Sequence, residues 1–295
     1  MILRDKTYNN RDQFLWTDLP DAKRTLAERR WATRPETIDI FIDHGYTTIS
    51  SAVSTQAIEF FQRELYATLA RPDSPLIVTY WDQAGKHQVQ AKAELLGERE
   101  AKVLDVHHHL PSSHPLIFSP TLIAFLRDVF EDDPVAFQTL YFEHGSTQGA
   151  HNDTAFVYVD PPAQFVASWI ALEDIAPNTG ELFYFPGSHK MGDQIFANGG
   201  KAFDPADEHA DCYSAELERM AASKGLSRAT FVPRQTDVLF WAADLVHGGS
   251  QIVTRRTRRS LVTHYCPLHA TVPYARHLGK QPQPVGEGGW IVSAT

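Results

Sequence analysis

Phe137-Gln138-Thr139-Leu140-Tyr141-Phe142, Phe165-Val166-Ala167-Ser168-Trp169-Ile170-Ala171-Leu172 and Val238-Leu239-Phe240-Trp241 are short runs rich in β-branched and aromatic residues. Leu182–Phe185 and Ser260–Tyr265 repeat the pattern, and turn-forming sequence separates the runs. Segments of this kind read as strands, and several in succession indicate an antiparallel sandwich or small barrel. The fold expected from residue Val135 onward is therefore mainly β.

Upstream the periodicity is helical. Ser54 or Thr55 offers an N-cap, after which Ile58, Phe61, Leu65 and Leu69 recur at helical spacing as far as Arg71-Pro72. Ser119-Pro120 is a cap followed by proline at the first helical position, and Leu122, Leu126, Val129 and Phe130 form the buried stripe. Ile38–Ile49, with Ile40, Phe41, Tyr46 and Ile49, reads as a first strand broken at Gly45. Residues 1–37 are polar and charged, with one helix at most, and form an N-terminal extension that covers the barrel or mediates homodimer contacts. Residues 38–295 then make one domain, interrupted by a polar insertion at about 191–225 that carries a helical piece after Ser214 ending at Lys224-Gly225. Long insertions between strands serve as lids or as surface decoration.

Composition bounds the function. A chain of 295 residues with 43% apolar content can bury one generous core. With 27 basic against 36 acidic side chains and a formal net charge of -9, a general role in binding duplex DNA or another polyanion is disfavoured. Cys212 and Cys266 are too few for a disulfide framework and fit a reducing cytoplasm. Met1–Trp16 lacks an apolar core of signal-peptide length, and no later run is long enough to span a membrane, so a soluble, unanchored protein is expected.

His151-Asn152-Asp153 carries the chemistry. Residues i and i+2 of a strand point to the same face, so His151 and Asp153 can reach one metal ion while Asn152 points away. His247 follows the strongly β-forming Asp237–Trp241 and precedes Gly248-Gly249, which suits the mouth of a barrel. Two imidazoles and a carboxylate are the ligand content of a mononuclear non-haem Fe(II) site, with three positions left open for a co-substrate and O2. Among Arg255, Arg256, Arg258 and Arg259, alternation separates Arg256 and Arg258 from the other two. Arg258 is expected to point inward, because a guanidinium fork matches a carboxylate and keeps its charge.

From Gln138 to Tyr265 the chain resembles the phytanoyl-CoA dioxygenase family of Fe(II)/2-oxoglutarate oxygenases. The resemblance rests on Gly145-Ser146 before His151-Asn152-Asp153, on Trp169–Asp174, on Pro186-Gly187-Ser188-His189 and on His247-Gly248 with Arg258; Asp43-His44-Gly45-Tyr46 adds a short upstream match. It implies a double-stranded β-helix, the jelly roll of cupins, with flanking α-helices. It further implies that His151, Asp153 and His247 bind iron, that Arg258 grips the distal carboxylate of 2-oxoglutarate, and that Trp169 and Gln148 contact the co-substrate. In several relatives a threonine at the position of Leu182 touches 2-oxoglutarate, a contact this chain lacks. The implied reaction is hydroxylation of a small-molecule C–H bond, with release of succinate and CO2. Desaturation, cyclisation and epimerisation use the same triad, whereas halogenating members replace the carboxylate that Asp153 retains here.

Other features are tempting. His107-His108-His109 with His114 cannot converge on one ion from adjacent positions, although one of them could line a substrate pocket. His144 and His264 read as packed or surface histidines, His189 as a turn residue, and Trp241, Phe240 and Tyr158 as core. Glu173 and Asp174 point apart and read as structural. Substrate selection is expected from Tyr80–His114, the insertion and the C-terminus. Two competing classes are a cupin-like metal hydrolase or isomerase, which leaves Arg258 without a purpose, and a non-catalytic binding protein, which leaves the triad without one.

Overall fold

A computed structural model of the protein describes residues 2–29, 32–208, 210–286 and 288–292. Among the described residues, fifteen strands pair as three sheets. The smallest joins β1 (Ile2–Arg4) to β9 (Asp193–Ile195), antiparallel. The largest runs, in spatial order, β2 (Tyr46–Ile49), β11 (Val238–Ala242), β7 (Val166–Ala171), β13 (Ser260–Pro267), β6 (Pro134–Phe142), β5 (Arg99–Leu104), β3 (Ile77–Asp82) and β4 (Gly85–Gln90). β14 (Gln283–Val285) and β15 (Gly289–Ile291) hang on β6. The third sheet, β10 (Ala229–Phe231), β8 (Leu182–Tyr184) and β12 (His247–Gly249), faces the large one and completes a double-stranded β-helix.

Alternation sorts the side chains of each strand into two cores. Ala167, Trp169 and Ala171 of β7, Leu239 and Trp241 of β11 and Val262 of β13 point between the sheets, where they meet Leu182 and Tyr184 of β8. Their neighbours Val166, Ile170, Val238, Phe240 and Leu261 point the other way, into a larger core shared with the helices. Those helices are Pro35–His44, Thr55–Leu69 and Pro120–Phe130, which bury Phe41, Phe61, Leu65, Leu122 and Phe125. Each large apolar side chain so buried contributes roughly 1.5–3 kcal/mol before entropy is counted. Ser54 and Ser119 cap their helices as the sequence suggests, accepting from the amides of Ala57 and Leu122.

One expectation needs correction. Residues 38–44 are helical, and only Tyr46–Ile49 is a strand. Ile38, Phe41 and Ile42 fall on one helical face, Pro35 sits at the first turn, and Gly45 ends the helix in the left-handed region at φ 72°. That helix crosses the domain boundary expected at residue 37. β3, β4 and β5 extend the large sheet, β3 being the β-branched and aromatic run Ile77-Val78-Thr79-Tyr80-Trp81.

Of the two roles open to the insertion, its packing matches surface decoration. Its helix Tyr213–Ser223 buries Tyr213, Leu217 and Met220 against Phe183, Phe185 and Phe196 on the outside of the small sheet. The N-terminal extension is fastened to the same side by β1 and to the helices by Trp16 Nε1, which donates to the Asp128 carbonyl at 3.0 Å. No helix among the described residues is long and apolar enough to cross a membrane.

Candidate metal centre

His151 and His247 face each other in an isolated antiparallel bridge, each amide donating to the other's carbonyl at 2.8 Å. Directly paired residues put their side chains on the same face, so both imidazoles enter the barrel together. His151 is thus held by a single bridge, and Asp153 opens a short 3-10 turn, Asp153–Ala155, in place of the strand that alternation assumed. The three side chains still converge: one ligand atom from each of His151, Asp153 and His247 lies within 4.8 Å of the others, and all three residues are buried. Asp153 Oδ1 is 3.8 Å from His151 Nε2 and 3.6 Å from His247 Nε2. Among the described residues this is the one group of three or more such side chains with that spacing.

The second nitrogen of each ring settles what the first can do. His151 Nδ1 lies 2.9 Å from the Gly149 carbonyl and His247 Nδ1 lies 3.0 Å from the Leu245 carbonyl. A carbonyl only accepts, so each Nδ1 carries the proton and each Nε2 offers a lone pair to a cation. Burial, reinforced by the neighbouring His247, pushes the His151 pKa down to about 3, which keeps the ring neutral at physiological pH. For Asp153, burial favours protonation, but the adjacent imidazoles of His247 and His264 outweigh it and hold the carboxyl well below the usual range. Neutral imidazoles and an ionised carboxylate are the ligand states a divalent metal requires.

The backbone around the centre leaves no spare room. A Cβ on Gly249 would collide with the Ser146 carbonyl, and one on Gly248 would meet the Phe183 ring at 2.7 Å and the Gln148 carbonyl at 2.9 Å. The loop carrying Gln148 can therefore lie against β12, where the Gly249 amide donates to the Gln148 carbonyl at 2.9 Å.

The triad opens into a cavity of about 620 Å³ inside the barrel. Arg258, Trp169, Gln148 and Leu182 all line it. Arg258 is 2% exposed, and its guanidinium lies 5.3 Å from the Trp169 ring and 5.7 Å from that of Phe142. Among the described residues its side chain has neither hydrogen bond nor ion pair, and its Nε is buried without a partner. Burial pulls its pKa from 12.5 down to about 10, so it remains charged at neutral pH. Arg259, the next residue, faces outward to Glu143 at 2.8 Å and Glu173 at 3.4 Å, while Arg255 and Arg256 are exposed.

Four lining residues were not anticipated as functional. Lys102 of β5 lines the cavity with no ion pair among the described residues, and its pKa is lowered by burial and by Lys86. Trp81 of β3 forms part of the wall nearer the surface and is 44% exposed. Trp241 and His264, read as core and packing, both reach Asp153 Oδ2, at 2.8 and 3.2 Å. No short motif announces any of them; their places depend on which strands become neighbours.

One part of the wall comes from Thr79 and Trp81 of β3, Lys86 and Gln88 of β4, and Glu100, Lys102 and Leu104 of β5. Of the three regions expected to select substrate, only Tyr80–His114 contributes described residues; the insertion and the C-terminus do not. The histidine cluster stays outside the cavity as well. His107 is buried against Thr139 Oγ1 at 2.9 Å, His108 reaches the Val292 carbonyl, and His114 reaches the His107 carbonyl.

The family model for phytanoyl-CoA dioxygenase (PhyH) matches residues 41–260. "Phytanoyl-CoA dioxygenase" of Arabidopsis thaliana is 27% identical over 218 residues, covering 62% of this chain and 77% of that protein. "Phytanoyl-CoA dioxygenase domain-containing protein 1" of Mus musculus is 32% identical over 91 residues, and the matched stretch spans 30% of this chain and 31% of the mouse protein. Among solved structures, the non-haem α-ketoglutarate-dependent epimerase SnoN from nogalamycin biosynthesis superposes with TM-score 0.62 at 17% identity, covering 92% of this chain and 98% of SnoN. EctD from S. alaskensis, solved with bound Fe, gives TM-score 0.56 at 18% identity over 90% of this chain and 81% of its own. At these identities the structural likeness speaks for the shared jelly roll.

Proposed function

This chain belongs to the phytanoyl-CoA dioxygenase family, and from that premise we propose that it is a non-haem Fe(II)/2-oxoglutarate-dependent oxygenase that hydroxylates a C–H bond of a small-molecule substrate. The observation that carries the reading is Arg258. It is a buried guanidinium with neither hydrogen bond nor ion pair among the described residues, Glu181 acting on it only at a distance, in the same cavity as a His/Asp/His triad. A buried charge without a hydrogen-bonded partner is expensive, and its retention is explained by an anion that arrives with the reaction. A metal hydrolase or isomerase would have no use for it. A non-catalytic binding protein would have no use for the ionised Asp153 beside two converging imidazoles.

The donor set fits the group that the family implies. His151 Nε2, His247 Nε2 and Asp153 Oδ1 would hold Fe(II), and Arg258 would take the distal carboxylate of 2-oxoglutarate with charge-assisted, two-pronged geometry. With Fe(II), 2-oxoglutarate and O2 bound, the centre supplies oxidising power by converting 2-oxoglutarate to succinate and CO2. The protein's own part is placement. Trp169 and Phe142 flank the guanidinium, Gln148 offers a polar contact, and Lys86 and Lys102 bring two further basic side chains, beside Glu100, to the cavity that receives a dianion. Asp153 fills the position that a halide would need, so oxygen transfer is the proposed outcome.

The substrate proposed is a small molecule entering past Trp81, Lys86 and Gln88. The polar insertion and the N-terminal extension act as outer buttresses of one catalytic domain, in a cytoplasmic setting suited to its two cysteines. The test is aerobic incubation with Fe(II), ascorbate and 2-oxoglutarate, followed by quantification of succinate. Succinate should form in the wild type and fall to background in Asp153→Ala. Equal succinate from both proteins would overturn the reading.

A further inference from the structure

We propose that Trp241 and His264 are positioning residues of the metal centre: together they hold Oδ2 of Asp153, so that only Oδ1 is offered to the metal. This rests on the iron reading above and adds a role for two side chains outside the triad. Trp241 Nε1 donates to Oδ2 at 2.8 Å, and His264 Nε2 lies 3.2 Å from the same oxygen. The other oxygen, Oδ1, is the one that approaches the two imidazoles, at 3.8 and 3.6 Å.

Sheet register builds the clamp. On β7, Ala167 pairs with Trp241 of β11 on one side and with His264 of β13 on the other. Directly paired residues share a face, so Trp241, Ala167 and His264 form one row across three adjacent strands, with the smallest side chain in the middle. The two ring N–H groups converge on Oδ2 from the two ends of that row. All three residues are buried, at 2%, 0% and 3% exposure, so water does not compete for the carboxylate. An ionised carboxylate oxygen only accepts and an indole N–H only donates, so the Trp241 contact has one sense. The His264 ring, 6.0 Å from the centroids of both Phe137 and Phe165, presents its Nε2–H in the same sense, since Asp153 must accept.

The consequence for chemistry is a count of positions. Fe(II) held by two imidazoles and one carboxylate oxygen keeps three positions, two for a chelating keto acid and one for O2. A carboxylate free to turn could bind through both oxygens and consume one of them. Trp241 and His264 therefore act through Asp153, and neither needs to touch the metal.

The test is Mn(II) binding by calorimetry, with Mn(II) as a redox-stable probe, in wild type, Trp241→Phe, His264→Leu and His264→Gln. Loss of a partner that orients a metal ligand typically costs about 10–100-fold in metal affinity. Trp241→Phe and His264→Leu should each weaken Mn(II) binding within that range. His264→Gln, which keeps an N–H donor of similar reach, should recover most of the loss. Melting temperature and far-UV circular dichroism check that each variant is folded, and the two His264 variants carry the test on their own should Trp241→Phe misfold. Folded variants that all bind Mn(II) within about threefold of wild type would overturn the proposal while leaving the iron reading intact. A wild type that binds no Mn(II) would overturn the metal reading and this inference with it.

Discussion

Replacing Arg258 by methionine should make the protein without ligands more stable and its grip on 2-oxoglutarate much weaker. The guanidinium is 2% exposed, and burial moves its pKa from 12.5 to about 10. At about 1.36 kcal/mol per tenfold change in acidity, that corresponds to roughly 3 kcal/mol against keeping the charged form in the fold. The sign is fixed by the direction: the folded pKa of a cation is lowered, so the cost is present in full below about 10 and fades only as pH rises toward 12.5. Across ordinary assay pH it is constant. Methionine removes this cost and, where it forfeits the cation–π contacts with Trp169 and Phe142, covers the same rings with an apolar, sulfur-bearing side chain. A net gain on the order of 1–2 kcal/mol remains, which raises the melting temperature by a few degrees.

The ligand side runs the other way. A charge-assisted contact contributes roughly 1.5–3 kcal/mol, so Kd for 2-oxoglutarate should rise on the order of 10–150-fold. At a 2-oxoglutarate concentration about 100 times the wild-type Kd, the co-substrate stabilises the wild type by about 2.7 kcal/mol; a variant whose Kd has risen to that concentration gains only about 0.4 kcal/mol. Thermal unfolding with Mn(II), with and without 2-oxoglutarate, reads both effects in one experiment. A variant that melts lower than wild type without ligands and keeps its full 2-oxoglutarate-dependent shift would refute the reasoning.

Two other perturbations follow from buried charges. Asp105 is buried and its pKa is raised to about 6, chiefly by burial, while its Oδ1 accepts from the Thr139 amide at 3.2 Å. The folded protein therefore holds this proton more tightly than the unfolded chain, and stability is lost as pH rises from about 4 to about 6. Asp105→Asn keeps the acceptor and should be more stable at pH 8 by up to about 3 kcal/mol, with no gain at pH 3; equal stability of the two proteins by urea titration at pH 8 would count against this. Asp244 accepts from Lys6 and Lys201, both at 2.6 Å, and from Thr154 Oγ1 at 2.6 Å. Asp244→Asn would leave the buried Lys6 ammonium without its ion pair, while Lys201 keeps Asp193 at 3.0 Å, so a loss of roughly 3–5 kcal/mol in the same titration is expected, and a loss under about 1 kcal/mol would contradict it.

Much of the molecule is legible in its sequence because alternation is a local signal. Phe137–Phe142, Phe165–Leu172 and Ser260–Tyr265 carry the period of two on their surface and form β6, β7 and β13. Ile38–Ile49 reads as a strand on the strength of Ile40, Phe41 and Tyr46, whereas Ile38, Phe41 and Ile42 recur at helical spacing between Pro35 and Gly45, and that spacing governs residues 38–44. What the sequence conceals is pairing. Ala167 lies between Trp241 and His264 only because β7 lies between β11 and β13, and residues so far apart along the chain carry no mark of it. The same holds for Lys102, which reaches the cavity because β5 is laid against β6. Packing the insertion on the outside of the small sheet is likewise a matter of which face Phe183 and Phe185 present.

The central claim is a keto-acid-binding iron centre built from His151, Asp153, His247 and Arg258. Anaerobic addition of Fe(II) and 2-oxoglutarate to the wild-type protein, followed by visible absorption, tests it most directly. A weak metal-to-ligand charge-transfer band that needs both components and disappears in Asp153→Ala is the expected result. A wild-type protein that shows no such band with both components in excess would contradict the account.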